Sequence, residues 1–218
     1  MILTIETSTD ISTLGIFNDE YKLLRAISYE SRNDMAQNMF KRLDFLLDGA
    51  PISDISLILT TIGPGSFTGV RIGVITAKML AMELNIPIIG VSALTALAMP
   101  YLNLNNIIMP VINARRKELY FKLYSSKGTE IEADSTGNEE KIRKILSNHT
   151  GDEQSIIIAG ITKNLPDELS SLVTEHMAIH SEITPENILN ACLERIEAKD
   201  FDDPLTLAPI YLRSATDR

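Results

Sequence analysis

Apolar and polar positions alternate at the start of the chain. The alternation over Ile2–Glu6, Ser12–Phe17 and Tyr21–Tyr29 predicts three strands, with turns at Thr7-Ser8-Thr9-Asp10 and Asn18-Asp19. Strands joined by such short turns form an antiparallel meander. The period then lengthens. Met35, Met39, Leu43, Leu46 and Leu47 share one side of a helix that Asn33 or Asp34 would cap. Ile55–Ile62 is a short apolar run bounded by turn residues, as expected of a strand covered on both faces. Gly63, Pro64 and Gly65 break it, and Ser66 or Thr68 caps a long helix reaching Leu84. A strand at Pro87–Val91 follows, then a helix from Ser92 through Ala98 that Pro100 stops.

The predicted order is βββαβαβα, and it recurs. After the polar break Asn103–Asn106, strands are predicted at Ile107–Ala114 and Leu119–Tyr124, with a weaker one near Glu130–Ala133. A helix over Asn138–Ser147, a strand at Ser155–Ala159, a helix over Pro166–Val173, a strand at Met177–His180 and a helix over Pro185–Lys199 complete the second set. The duplicated order implies an α/β protein of two ribonuclease-H-like lobes, the pattern of the actin, sugar-kinase and Hsp70 superfamily. The expected division is residues 1–105 for the first lobe and 106–218 for a smaller second lobe of the same type.

The long helix is apolar nearly all round, with Arg71, Lys78 and Glu83 as its only charges. Gly69, Gly73, Ala77 and Ala81 recur every fourth residue and share one row of its surface. A row without bulk lets another element approach closely. Two placements satisfy it: against the helix's own sheet, or against a helix of a partner. The second makes Gly69, Arg71, Gly73, Ala77, Lys78 and Ala81 interface residues, flanked by Met35 and Met39 of the first helix.

Composition then narrows the function classes. The chain has 218 residues and is 44% hydrophobic, enough for one large domain or two small lobes with a real core. No apolar run reaches the ~18 residues of a membrane span, and the opening residues lack the basic start of a signal peptide. The single cysteine, Cys192, excludes an intrachain disulfide and fits a reducing, cytoplasmic location; its neighbours place it on a buried helix face. A net charge of −9 argues against autonomous nucleic-acid binding, in which phosphate contacts dominate affinity. The basic clusters Arg115-Arg116-Lys117 and Lys141 with Arg143 and Lys144 read as solvated surface.

Candidate chemistry falls short in each case. Gly63-x-Gly65-x-x-x-Gly69 misses dinucleotide spacing by one residue, no acidic residue ends the next strand, and no GK[ST] phosphate loop is present. Two-metal nuclease chemistry needs several carboxylates, of which Glu6 would be one; Asn113 is neutral. His176 and His180 have the spacing of a zinc pair on a helix, but a strand there points them without a third ligand. No metal or cofactor is expected.

Gly63–Ala98, with its core GPGSFTGVRIG, closely resembles the bacterial TsaB (YeaZ) family. The opening ILTIETST, the later INARRKELYFKLY and the terminal APIYLR resemble that family in the same order. The resemblance implies a non-catalytic scaffold in forming threonylcarbamoyladenosine beside the anticodon of tRNA. Its partners would be the paralogue TsaD, in a heterodimer, and a TsaE-like ATPase in the larger complex. The chain alone would form a homodimer, and tRNA would be held only through the complex. Glu6, Asn113 and Met35 stand where the family usually has Asp, Asp and His, changes easier to accept in a scaffold than in an enzyme. The rival from the same superfamily is a kinase-like enzyme that binds or hydrolyses ATP. Thr7, Ser8 and Thr9 occupy the turn that contacts phosphate in that superfamily, here read as a degenerate site because Ala159-Gly160-Ile161 is a weak second phosphate loop.

Overall fold

The computed structural model describes residues 1–30, 35–149, 155–160, 169, 171–172 and 175–212. The chain divides into two compact units: Met1–Ala96 with Ile183–Ile210, and Leu97–Glu182 with Tyr211–Arg218.

In the first unit the alternating segments form β1 (Ile2–Glu6), β2 (Ile11–Phe17) and β3 (Leu23–Glu30), an antiparallel meander. The parallel strands β4 (Leu57–Thr61) and β5 (Ile88–Val91) extend it, in the order β3-β2-β1-β4-β5. Two helices cover one face: α1 (Met35–Leu47) lies over β2 and β3, and α2 (Phe67–Leu84) over β1, β4 and β5. Leu3, Ile5, Leu14, Ile16 and Ile58 meet Met39, Leu43, Leu46, Ala77, Leu80 and Ala81 in the core between them. The short helix α3 (Ala93–Ala98) follows β5. The cap expected from Asn33 or Asp34 lies outside the described residues.

The last helix also belongs to this unit, where chain order had assigned it to a second lobe spanning 106–218. It starts at Pro185 and ends at Glu197; its apolar side, Ile188, Leu189 and Cys192, is buried while it packs across β1, β2, β4 and β5. The Thr13 hydroxyl donates to the Ile183 carbonyl at 3.2 Å as the chain enters it. Beyond it, Asp202 closes the edge of β5, donating its amide to the Ile88 carbonyl at 2.9 Å and accepting the Gly90 amide at 2.7 Å. Arg195 pairs with that carboxylate at 3.0 Å. A sheet edge capped in this way offers no free ladder to another chain.

The second unit repeats the strand order. β6 (Ile107–Asn113), β7 (Leu119–Tyr124) and β8 (Glu130–Gly137) form an antiparallel meander. Parallel β9 (Ile156–Gly160) and β10 (Met177–His180) complete the order β10-β9-β6-β7-β8. β8 runs longer than the weak strand predicted, and α4 (Glu139–His149) buries Ile142 and Leu146 against the core. Most of the helix predicted at Pro166–Val173 lies outside the described residues. Along the chain the described elements follow the predicted order, but the second unit lacks its predicted closing helix, which joins the first. The last helix, called α5 below, is the long-range return.

Candidate functional site

The turn after β1 is built around a buried carboxylate. Glu6, Thr7, Ser8 and Thr9 are all buried. Glu6 Oε1 accepts the Ser8 amide at 2.6 Å, the Ser8 hydroxyl at 2.6 Å and the Thr9 amide at 3.0 Å. Glu6 Oε2 accepts the Thr61 hydroxyl from the end of β4. Burial raises the pKa of Glu6, and the bonds from Ser8, Thr61 and Thr9 work in the opposite direction. The turn expected to be a degenerate phosphate site therefore has the Ser8 and Thr9 amides and the Ser8 hydroxyl directed at a carboxyl group the chain carries itself, while the Thr7 and Thr9 hydroxyls donate to the carbonyls of Gly69 and Ile11.

The glycine loop and α2 seal that turn from outside. The Ser66 amide donates to the Ser8 carbonyl at 2.7 Å, and the Thr7 hydroxyl donates to the Gly69 carbonyl at 2.7 Å. A Cβ on Gly69 would run into the Thr7 carbonyl oxygen, and one on Gly73 into the Thr7 hydroxyl. Ser66 caps the helix by accepting the Gly69 amide at 3.3 Å, and Asn85 ends it in the left-handed conformation at φ 52°.

This settles where the row of small residues points. Gly69, Gly73, Ala77 and Ala81 are all buried, Ala77 at 0% and Ala81 at 1% exposure, against the chain's own turn and sheet. Their assignment to a partner interface is thus overturned: the glycines make room for β1's turn. Met35 and Met39 are likewise core residues of α1. Lys78 is half-buried and engaged within its own unit, its ammonium donating to the Leu207 carbonyl at 2.7 Å and to that of Leu205 at 3.4 Å. Of the predicted interface set, only Arg71 is exposed.

The outward side of α2 carries large apolar residues instead. Phe67, Ile75, Met79 and Met82 are 42%, 54%, 58% and 53% exposed, and the Arg71 guanidinium lies 3.7 Å over the Phe67 ring. On α1, Phe40 and Phe45 are also exposed. Phe40, Met79, Leu80, Met82 and Glu83 line a shared apolar groove. Sequence reasoning passed over these residues, although Phe67, Arg71, Ile75 and Met79 have the same spacing by four as the small row. A patch of this kind marks an interaction surface.

The remaining candidates resolve simply. His180 lies on β10 and pairs with Glu182 at 3.3 Å; among the described residues no group of three or more His, Cys, Asp or Glu could hold a metal ion. Cys192 is fully buried on α5, and burial pushes its thiol up to about 12. Within the described residues no helix is long and apolar enough to cross a membrane.

The β6–β7 turn has an unusual backbone. Arg115, Arg116 and Lys117 have φ of 63°, 51° and 64°, three left-handed residues in succession. The Asn113 carboxamide accepts the Arg115 amide at 2.7 Å, and the Glu118 amide donates to the Arg115 carbonyl at 3.1 Å. The Ala114 amide donates to the Glu118 carbonyl at 3.0 Å, closing the loop.

Residues 30–199 match the model of the family described as TsaD: tRNA N6-adenosine threonylcarbamoyltransferase. The chain is 38% identical over 128 residues to the tRNA threonylcarbamoyladenosine biosynthesis protein TsaB of Bacillus subtilis; the match takes in 58% of this chain and 56% of that protein. The chain thus spans about half the length of that curated relative. YeaZ from Pseudomonas aeruginosa superposes with a TM-score of 0.72 at 22% identity, covering 97% of this chain and 99% of that one. A putative N-acetylmannosamine kinase from Listeria monocytogenes shares the fold at a TM-score of 0.50 and 11% identity, covering 91% of this chain and 99% of that one.

Proposed function

The chain belongs to the TsaD family and, within it, to the TsaB (YeaZ) group, and on that premise we propose that it is a non-catalytic scaffold of the machinery that makes threonylcarbamoyladenosine in tRNA. It pairs with a TsaD-like paralogue through the outward face of α2 and the exposed aromatics of α1. A TsaE-like ATPase joins the larger complex, and the same face forms a homodimer when the chain is alone.

One observation carries this reading: the Ser8 and Thr9 amides and the Ser8 hydroxyl of the β1–β2 turn, with the Thr61 hydroxyl of β4, are already engaged by Glu6. A nucleotide phosphate would have to displace a buried carboxylate that accepts four hydrogen bonds. The kinase-like alternative needs that turn open to ligand. What the first unit does leave available is the apolar face of Phe40, Ile75, Met79 and Met82, whose burial suits a protein partner. A TsaD-like occupant is favoured because this chain itself matches the TsaD family model, so the two proteins would present similar helix pairs to each other.

The test is Met79→Asp, examined by size-exclusion chromatography with and without TsaD and by a thermal melt. An aspartate there is solvated in the free chain and unpaired in the complex. The expected result is a near-normal melt with co-elution lost. Unaltered co-elution of Met79→Asp with TsaD would remove this face from the interface. Steady phosphate release from Mg-ATP by the purified wild-type chain would overturn the scaffold role.

A further inference from the structure

We propose that Met79 and Met82 of α2 form a reversible oxidation site: hydrogen peroxide converts their thioethers to sulfoxides in the unpartnered chain, and the oxidised face no longer takes the TsaD-like partner. This control of the partner face rests on the functional reading above.

The first observation is the distribution of sulfur. The chain has eight methionines and one cysteine. Met35, Met39 and Met109 are buried, and Met1 and Met99 are half-buried. Cys192 is fully buried with its thiol pushed up to about 12, so it offers peroxide almost no thiolate. Of the eight methionines, only Met79, Met82 and Met177 are more than half exposed. Oxidation follows access to the sulfur.

The second observation is where those sulfurs stand. Met79 and Met82 are three residues apart, neighbours on the surface of one helix. They line a single groove with Phe40, Leu80 and Glu83. Met177 lies on β10 in the other unit. Two of the three accessible thioethers are thus concentrated in the apolar groove assigned to the partner. A flexible, polarisable thioether suits such a surface. It is also an apolar group that a mild oxidant makes polar and that a reductase restores.

The oxidation needs peroxide alone. A sulfur lone pair attacks one peroxide oxygen, the S–O bond forms as the O–O bond breaks, and the other oxygen leaves as water with both protons. Sulfur gives up an electron pair and peroxide takes it. Methionine sulfoxide reductases reverse the change, the oxygen leaving as water while a dithiol becomes a disulfide. The new S–O dipole is a strong acceptor, and none of the five side chains lining the groove carries an N–H to meet it. Water meets it in the free chain, and a partner seated on the groove would strip that water away. Each sulfoxide should therefore weaken the partner's binding roughly 10-fold.

The experiment treats the free chain with hydrogen peroxide, removes the peroxide with catalase, maps oxygen uptake by peptide mass spectrometry, and then titrates TsaD. Uptake is expected at Met79, Met82 and Met177 but not at Met35, Met39 or Met109. The thermal melt should stay near that of the untreated chain while affinity for TsaD falls roughly 100-fold, and reductase treatment should restore it. The double variant Met79→Leu, Met82→Leu is compared with itself before and after peroxide; its affinity, whatever its starting value, should not change. Met177→Leu should lose affinity on treatment as wild type does. Undiminished TsaD binding by a chain oxidised at both α2 methionines would overturn the proposal and leave the scaffold role standing. So would oxidation of Met177 with Met79 and Met82 untouched, or an equal loss by the double variant. An untreated chain that forms no complex with TsaD would defeat the functional reading itself, and this control with it. A complex in which Met79 and Met82 oxidise as fast as Met177 would do the same.

Discussion

Glu6 is a carboxylate at 0% exposure whose charge is met only by hydrogen-bond donors, with no cation among them. Burial raises its pKa above the ordinary 4.5 despite those donors. The sign of the pH dependence follows. A raised folded-state pKa favours the protonated form in the native protein, so the stability this group contributes is full below about pH 4.5 and is lost as pH rises through the folded value. Glu6→Gln keeps the shape, still accepts the Ser8 and Thr9 amides, and never ionises. Melts between about pH 5 and 8 should show the variant gaining on wild type as pH rises. A wild type that outlasts Glu6→Gln most strongly at pH 8 would show instead that the ionised carboxylate is the stabilising form. The sequence made the departure at Glu6 visible, but the Thr61 hydroxyl that completes its shell comes from β4, a neighbour only in the folded sheet.

For α2 the lesson concerns what a period can and cannot carry. Spacing by four correctly groups Gly69, Gly73, Ala77 and Ala81 on one row, because helix geometry alone dictates it. Whether that row meets the sheet or the solvent depends on what approaches, and glycine and alanine have little hydrophobic bias of their own. The close approach turned out to be the β1–β2 turn, while the bulky row Phe67, Ile75 and Met79 faces out. Ala77→Glu should therefore act on the fold rather than on assembly. An unpaired charge at a fully buried position costs on the order of 3–5 kcal/mol, a large share of a stability of roughly 5–15 kcal/mol. The expected outcome in a thermal melt is early unfolding or no folded protein. A normal melt with selective loss of TsaD binding would restore the small row to the interface. The meander, the glycine break and the cap at Ser66 were legible because each is local. The left-handed path of Arg115–Lys117 was not, since neither Arg nor Lys signals it.

At the scale of the molecule, two sets of strands in the same order emerge from a repeated pattern that needs no sequence identity between the halves. What pattern could not supply was the destination of α5. Its apolar face would suit either sheet, and only the folded contacts decide that Ile183–Ile210 completes the first unit. A chain ending after Glu182 should consequently fail as a whole protein: the first sheet would lose its cover on one face, the clamp on β5 and Leu207 from its core. Circular dichroism and a melt of this truncation should show loss of a cooperative transition. A cooperative transition near the wild-type temperature would mean that the meander, α1 and α2 suffice.

That return of the chain also sets a schedule for biosynthesis. The first sheet leaves the ribosome early, yet the segment that completes its unit begins only some ninety residues later. At ~5–20 residues per second this is a delay on the order of ten seconds, in which one apolar face of β1, β2 and β4 awaits its covering helix. Co-translational chaperones, rather than the partner subunit, would be the first proteins to meet that face.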